Sequence, residues 1–172
     1  MESIITEIKN RIPNANVVCM YKTGSAILCE NCRDNDIVAI CDNVSFISCF
    51  FKLQELNTDV ICLSRESAYR EATGHRKARG LAVALATGDN LLYGKLPFED
   101  YSWDKYKLNV LQTEYKSFKK LSLRIARKSG VCDKSMTWTF ATYFACINNT
   151  LDFTAEQREL LQKCHDGELP VS

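Results

Sequence analysis

The chain of 172 residues has the length of one compact domain, or of a small domain with a helical extension, which excludes a full-size polymerase or synthetase. Hydrophobic residues make up 46% and charged residues 25%, ordinary globular values that argue against a disordered, collagen-like or coiled-coil protein. The formal net charge of +1 argues against a protein that coats nucleic acid by bulk attraction.

That near-zero total conceals two regions of opposite charge. Residues 1–64 carry five Lys and Arg against eight Asp and Glu, a net charge of −3. Residues 105–128 carry eight Lys and Arg against one Glu, a net charge of +7. The sequence therefore allows a local, directional contact with an anion if the two regions flank one cleft.

The nine cysteines are odd in number, and several, such as Cys19 and Cys62, lie inside apolar runs. A free thiol in such a run behaves as a small buried hydrophobe, so we expect a reducing compartment rather than a disulfide framework. Cys29-x-x-Cys32 would need a second ligand pair to hold zinc, and none is apparent. The chain start has no signal-peptide pattern and no apolar run approaches about 20 residues, so we expect a soluble, cytoplasmic protein without membrane contact.

The first third of the chain predicts short strands separated by short helices. Runs rich in Val and Ile at 15–21, 36–41 and 58–63 have the length and composition of strands. The apolar run 45–53 is predicted to be a helix packed on the sheet, with a strand as the alternative because its periodicity is unclear.

After residue 64 the pattern is helical. Ser64 is a candidate N-cap for one or two helices within 65–87, and a polar, aromatic connection is predicted at 88–103. Residues 104–128 form an amphipathic pattern that ends at Gly130, and 134–149 and 154–165 predict two more helices, the last opening with a capping box. One face of 104–128 is basic and is a candidate acceptor-binding strip, although a solvated helix face is the alternative. Its basic residues are Lys105, Lys116, Lys120, Arg124 and Arg127.

The residues that indicate chemistry lie around the first two predicted strands. Gly24 and Ser25 follow the first strand at the start of a short helix, where a glycine lets the backbone approach a phosphate and helix N–H groups bind anions. Asp34 and Asp36 open the next strand, and a spacing of two places both side chains on one face, where they can share hard cations.

Two-metal phosphoryl transfer usually requires a third carboxylate near the attacking hydroxyl. Asp59 is well placed for this role because it opens the third predicted strand. Asp42 is the alternative, but it lies at the far end of the Asp-x-Asp strand, roughly 20 Å away at strand rise.

Over residues 15–63 this arrangement resembles the nucleotidyltransferase superfamily that includes DNA polymerase β. The helical tail at 134–170 resembles that of small predicted nucleotidyltransferases of bacteria and phages. The resemblance implies an α+β protein with a small mixed-sheet catalytic core at 1–64 and a helical region at 65–172 that completes the cleft. Cys29 to Cys32 and Arg33 depart from the family pattern, which often has a glycine and a serine at those places.

The resemblance also implies the reaction and its participants. Asp34, Asp36 and Asp59 would bind Mg²⁺, or Mn²⁺, and Gly24 with Ser25 would hold an NTP such as ATP. The NMP would pass to a hydroxyl of an RNA 3′ end, a protein or a small molecule. An inactive binding module that sequesters a nucleotide, RNA or protein partner is the alternative.

Three basic residues are further candidates for nucleotide binding. Arg76 and Lys77 could meet a triphosphate or a polynucleotide, and Lys22 lies next to the Gly-Ser turn. For each of them a solvated surface position is the alternative. The oligomeric state stays open.

Overall fold

The computed structural model describes residues 2–29, 35–45, 47–72, 88–98, 116, 119–120, 123–125, 127–132, 134–148 and 152–170. The elements in this part of the chain are helix α1 (Glu2–Arg11), strands β1 (Asn16–Thr23), β2 (Asn35–Asp42), β3 (Ser48–Leu53) and β4 (Thr58–Ser64), helix α2 (Arg65–Ala72), strand β5 (Leu91–Gly94), and helices α3 (Lys134–Asn148) and α4 (Ala155–His165). The fold is α+β, as the sequence predicts.

One mixed sheet forms the centre of the fold, with the strand order β3-β4-β2-β1-β5. Strands β2 and β4 are parallel, whereas the β1–β2, β1–β5 and β3–β4 pairs are antiparallel. The chain reaches β4 by passing through β3, so β4 is inserted between β2 and β3. Both Asp-bearing strands are therefore neighbours with the same direction.

Alternating side chains divide the sheet into two apolar faces. Ile4 and Ile8 of α1 pack on the face that carries Ile37, Val60 and Phe51. The opposite face packs against α2 and the segment after β5. Its buried residues are Cys19, Tyr21, Val38, Ile40, Leu63, Ala68 and Phe98.

The strands predicted at 15–21, 36–41 and 58–63 are confirmed as β1, β2 and β4. The predicted helix at 45–53 is wrong, because residues 48–53 form the edge strand β3. The physical reason is a period of two: Cys49, Phe51 and Leu53 face the α1 side, while Phe50 between them is exposed. The predicted connection at 88–103 also contains a strand, β5, which has only four residues and ends at Gly94, a glycine with positive φ.

The helical predictions are confirmed where the structure describes them. The Ser64 Oγ accepts a hydrogen bond from Ser67 N (3.1 Å), as expected of an N-cap, although 73–87 lie outside the described residues. Gly130 follows the last helical residue of its segment, with φ +72°. Helix α4 begins after Thr154 with the predicted capping box to Gln157.

The cysteines whose side chains the structure describes are all reduced thiols: Cys19, Cys29, Cys41, Cys49, Cys62, Cys132 and Cys164. Most of them are buried, which agrees with their prediction as small core residues. Within the described ranges, no helix combines the length and the hydropathy that a membrane crossing requires.

Candidate functional site

Two carboxylates lie side by side at the amino-terminal ends of the parallel strands. Asp36 of β2 and Asp59 of β4 are direct register partners, so their side chains leave the sheet on the same face. Their backbones are about 5 Å apart, the usual spacing of neighbouring strands. The structure thus brings together two of the predicted metal-binding acids, from positions 23 residues apart in the sequence.

A tight turn fixes the position of Asp59. A short 3₁₀ helix over 54–56 ends at Asn57, which has φ +43°, a left-handed conformation that asparagine tolerates. The Thr58 hydroxyl then donates to the Leu56 carbonyl (2.9 Å), which anchors the residue before Asp59. The Oδ1 atom of Asp59 is buried and accepts no hydrogen bond within the described part of the chain.

Gly24 touches the second acid directly. Thr23 at the end of β1 is the register partner of Asp36, and Gly24 follows with φ +73°. A Cβ at this position would lie 1.9 Å from Asp36 Oδ2, so only glycine fits the space as well as the backbone conformation. The predicted phosphate-binding turn and the predicted metal-binding strand are therefore in contact.

Ser25 continues this turn in a 3₁₀ helix over Gly24–Ile27. Ser25 is buried, and its backbone carbonyl accepts hydrogen bonds from Leu28 N (2.9 Å) and Cys29 N (3.0 Å). The Cys29 thiol, 3.8 Å from the Leu161 carbonyl of α4, links the turn to the C-terminal helix.

Beside this link, a cavity of about 530 Å³ lies between the end of the turn and α4. Residues 26–29 line one side of it, and Arg158, Glu159 and Gln162 are among the residues that line the other. Its volume lies in the range of small-molecule sites in proteins.

The residues present fit a hard cation. Mg²⁺ prefers carboxylate oxygens, and the buried Oδ1 of Asp59 needs a partner to offset its loss of hydration. Among the residues that the structure describes, no group of three His, Cys, Asp or Glu side chains has metal-binding geometry. Asp36 and Asp59 are thus a pair, and Asp34 lies outside the described residues.

The other candidate acid, Asp42, has a different environment. It lies at the opposite end of β2, where Arg65 of α2 donates two hydrogen bonds to its carboxylate (2.6 and 2.9 Å). This guanidinium holds the pKa of the Asp42 carboxyl below its usual range. Asp42 is therefore an ion-pair partner, distant from Asp59.

The basic candidates are only partly described. Lys22 is the register partner of Ile37, which places it on the α1 face, opposite to Asp36. Arg76, Lys77 and Lys105 lie outside the described residues. The remaining members of the predicted basic face are exposed on helical backbone: Lys116, Lys120, Arg124 and Arg127.

Sequence reasoning missed two residues next to Asp59. Lys52 of β3 is its direct antiparallel partner, and Phe50 lies two residues away on the same face. The signal available in the sequence was their position before the turn at 54–57, but the predicted helix at 45–53 concealed it.

Comparisons with protein families and curated proteins assign the chain to no family. A scan against protein-family models gives no match, and a search of curated proteins gives none either. Among solved structures, the chain is similar to a nucleotidyltransferase-like protein from Exiguobacterium sibiricum, with 13% sequence identity and a TM-score of 0.32. The match covers 94% of this chain and 63% of that protein's chain.

Proposed function

We propose that the protein is a nucleotidyltransferase that moves a nucleoside monophosphate from an NTP to a hydroxyl acceptor and releases pyrophosphate. The observation that carries the proposal is the contact between Gly24 and the Asp36 carboxylate, with Asp59 beside it on the next strand. A glycine turn for phosphates that touches a pair of carboxylates for cations supplies the main components of phosphoryl transfer.

In this proposal Asp34, Asp36 and Asp59 hold Mg²⁺, with Mn²⁺ as a substitute. When bound, the ions neutralise charge on the phosphoryl oxygens and activate the acceptor hydroxyl. Asp34 joins the set on the sequence motif alone, whereas the buried, unpartnered oxygen of Asp59 supports its own assignment within the described residues.

Gly24 and Ser25 receive the β- and γ-phosphates, and Asp59 faces the acceptor. The acceptor oxygen then bonds to the α-phosphorus while the bond from that phosphorus to the pyrophosphate oxygen breaks, and the hydroxyl proton is released to solvent. The contribution of the protein is mainly to hold the two reactants in line. Arg76 and Lys77 are proposed phosphate contacts on sequence grounds, and the cavity beside residues 26–29 is large enough for a nucleoside.

The test is transfer of label from each NTP, radiolabelled at the α-phosphate, to total RNA, protein extract or an aminoglycoside, with Mg²⁺ or Mn²⁺. We expect Asp36→Asn and Asp59→Asn to reduce transfer on the order of 100-fold or more, because a bound ion contributes several kcal/mol to the transition state. Chelation with EDTA should abolish it.

Asp42→Asn is the matched control, since it makes the same change on the same face of β2 at the other end of the strand. Its transfer rate should equal that of the wild type. Equal loss in all three variants would contradict the site, and no transfer under any combination would favour the inactive binding module.

A further inference from the structure

The strand register extends the site beyond the two carboxylates. Thr23 pairs with Asp36, Asp36 with Asp59, and Asp59 with Lys52, so four neighbouring strands place these residues in one row on one face. Gly24 adjoins the Thr23 end of the row. Lys52 forms the other end, beyond Asp59.

Phe50 lies on the same face of β3 as Lys52, about 7 Å along the strand at two residues of rise. Its side chain is 64% exposed, although its neighbour Phe51 is buried in the α1-facing core. Phe51 is therefore the phenylalanine of β3 that packs in the core on the α1 side of the sheet. Core packing does not account for this second, exposed phenylalanine.

Lys52 is exposed and forms no ion pair with any described residue. Its ammonium is therefore available to an anion that approaches Asp59 from the β3 side. An aromatic surface and a free ammonium on one strand match the two repeating parts of a polynucleotide, the base and the phosphate.

We propose that Phe50 and Lys52 form an acceptor subsite for the 3′ end of a single-stranded polynucleotide. A base stacks on Phe50, a backbone phosphate contacts Lys52, and the 3′ hydroxyl lies toward Asp59. The inference rests on the proposed function, because Gly24 and Ser25 at the opposite end of the row are assigned to the triphosphate. Lys52 also disfavours a polycationic acceptor such as an aminoglycoside.

In the transfer, the 3′ oxygen bonds to the α-phosphorus and pyrophosphate leaves with the electron pair of the broken bond. The hydroxyl proton goes to solvent. The product is the same polynucleotide lengthened by one nucleotide.

Binding is measured without NTP or metal, by fluorescence anisotropy of a 5′-labelled, mixed-sequence RNA oligonucleotide with the full chain. We expect Phe50→Ala to weaken binding by about 5- to 100-fold, from the loss of one stacked base, and Phe50→Trp to preserve it. Lys52→Gln should also weaken binding and lower the slope of log Kd against log salt by about 0.7, the value for one phosphate contact on a single strand.

Lys9→Gln is the matched control, because it removes the same charge from α1 on the opposite face of the sheet. Its Kd and its salt slope should equal those of the wild type. A DNA oligonucleotide of the same sequence tests whether the 2′ hydroxyl contributes.

The outcomes separate this inference from the proposed function. RNA binding that depends on Phe50 and Lys52 without any transfer supports the subsite and overturns the proposed function. Transfer to RNA that is unchanged in Phe50→Ala and Lys52→Gln overturns the subsite and leaves the function standing.

Two further results would overturn the subsite. One is transfer of label to protein in preference to RNA. The other is a wild-type dimer in light scattering that Phe50→Ala converts to a monomer, since Phe50 would then be covered by a second copy of the chain.

Discussion

Substitution of Gly24 tests the packing of the candidate site most directly. An alanine Cβ would lie 1.9 Å from Asp36 Oδ2 and 2.9 Å from its Cγ, so the carboxylate would have to move. The φ of +73° adds about 1–2 kcal/mol for a residue with a side chain, and overpacking adds about 1–3 kcal/mol. We therefore expect Gly24→Ala to lower the free energy of unfolding by about 2–5 kcal/mol.

Gly88 provides a matched control because its φ is +72° and a Cβ there would meet no atom of a described residue within 4 Å. Gly88→Ala should cost only the conformational term of about 1–2 kcal/mol. A double-mutant cycle then isolates the contact, since Asp36→Ala removes the two closest atoms. We expect the cycle to return a coupling of about 1–3 kcal/mol between positions 24 and 36.

The assay is urea denaturation of the wild type, the three single variants and the Gly24→Ala, Asp36→Ala double variant, with the midpoint and slope fitted for each. Gly24→Ala should also reduce label transfer, because the displaced carboxylate is a proposed metal ligand. Equal costs at Gly24 and Gly88, with a coupling inside the usual error of about 0.5 kcal/mol, would refute the contact.

Three other predictions concern stability and thiol chemistry. Thr154→Ala should lower the free energy of unfolding by about 1 kcal/mol, because it removes the N-cap of α4. Thr6 is exposed inside α1, so Thr6→Ala should not lower the free energy of unfolding, and urea melts compare the two variants. Arg65→Gln should cost about 0.2–1 kcal/mol at pH 7. Because Arg65 lowers the pKa of Asp42, the ion pair stabilises the fold above about pH 4, and this stabilisation disappears as the pH falls through the folded-state pKa of Asp42. The loss of unfolding free energy caused by Arg65→Gln should therefore be smaller at pH 3 than at pH 7 in urea melts. An equal loss at both pH values would contradict the ion pair. Burial raises the pKa of Cys19 to about 12, so mass spectrometry should find it unalkylated by iodoacetamide at pH 8 until the chain is unfolded, and rapid native labelling would argue against this burial.

The fold was predictable where local sequence determines the structure. Val- and Ile-rich runs located β1, β2 and β4, and capping residues located α2 and α4. Strand β3 was missed because Phe50, an apolar residue at an exposed position, breaks the alternation of apolar and polar residues along the strand. Strand β5 was missed because a run of four residues is too short to show an alternating pattern. Its position depends on pairing with β1, which is distant in the sequence.

The candidate site was predictable only in part for the same reason. Motif spacing identified Gly24, Asp36 and Asp59, but their contact depends on strand register, which no local pattern specifies. The face of Lys22 and the proximity of Lys52 to Asp59 likewise follow from register alone. One wrong element, the predicted helix at 45–53, was enough to hide the second of these.

The two ends of β2 show why geometry carries more weight than the Asp-x-Asp motif. Asp36 and Asp42 leave the same strand on the same face, six residues apart, yet Asp42 receives two hydrogen bonds from Arg65. Asp36 lies beside Asp59, and like charges in direct register destabilise a sheet. Arg65 thus pairs with the Asp42 carboxylate, and Asp36 adjoins a second carboxylate, Asp59, whose Oδ1 has no hydrogen-bond partner among the described residues. The proposed Mg²⁺ would offset the like charges at the Asp36 end of β2, and the loss of label transfer expected in Asp36→Asn and Asp59→Asn, but not in Asp42→Asn, tests this.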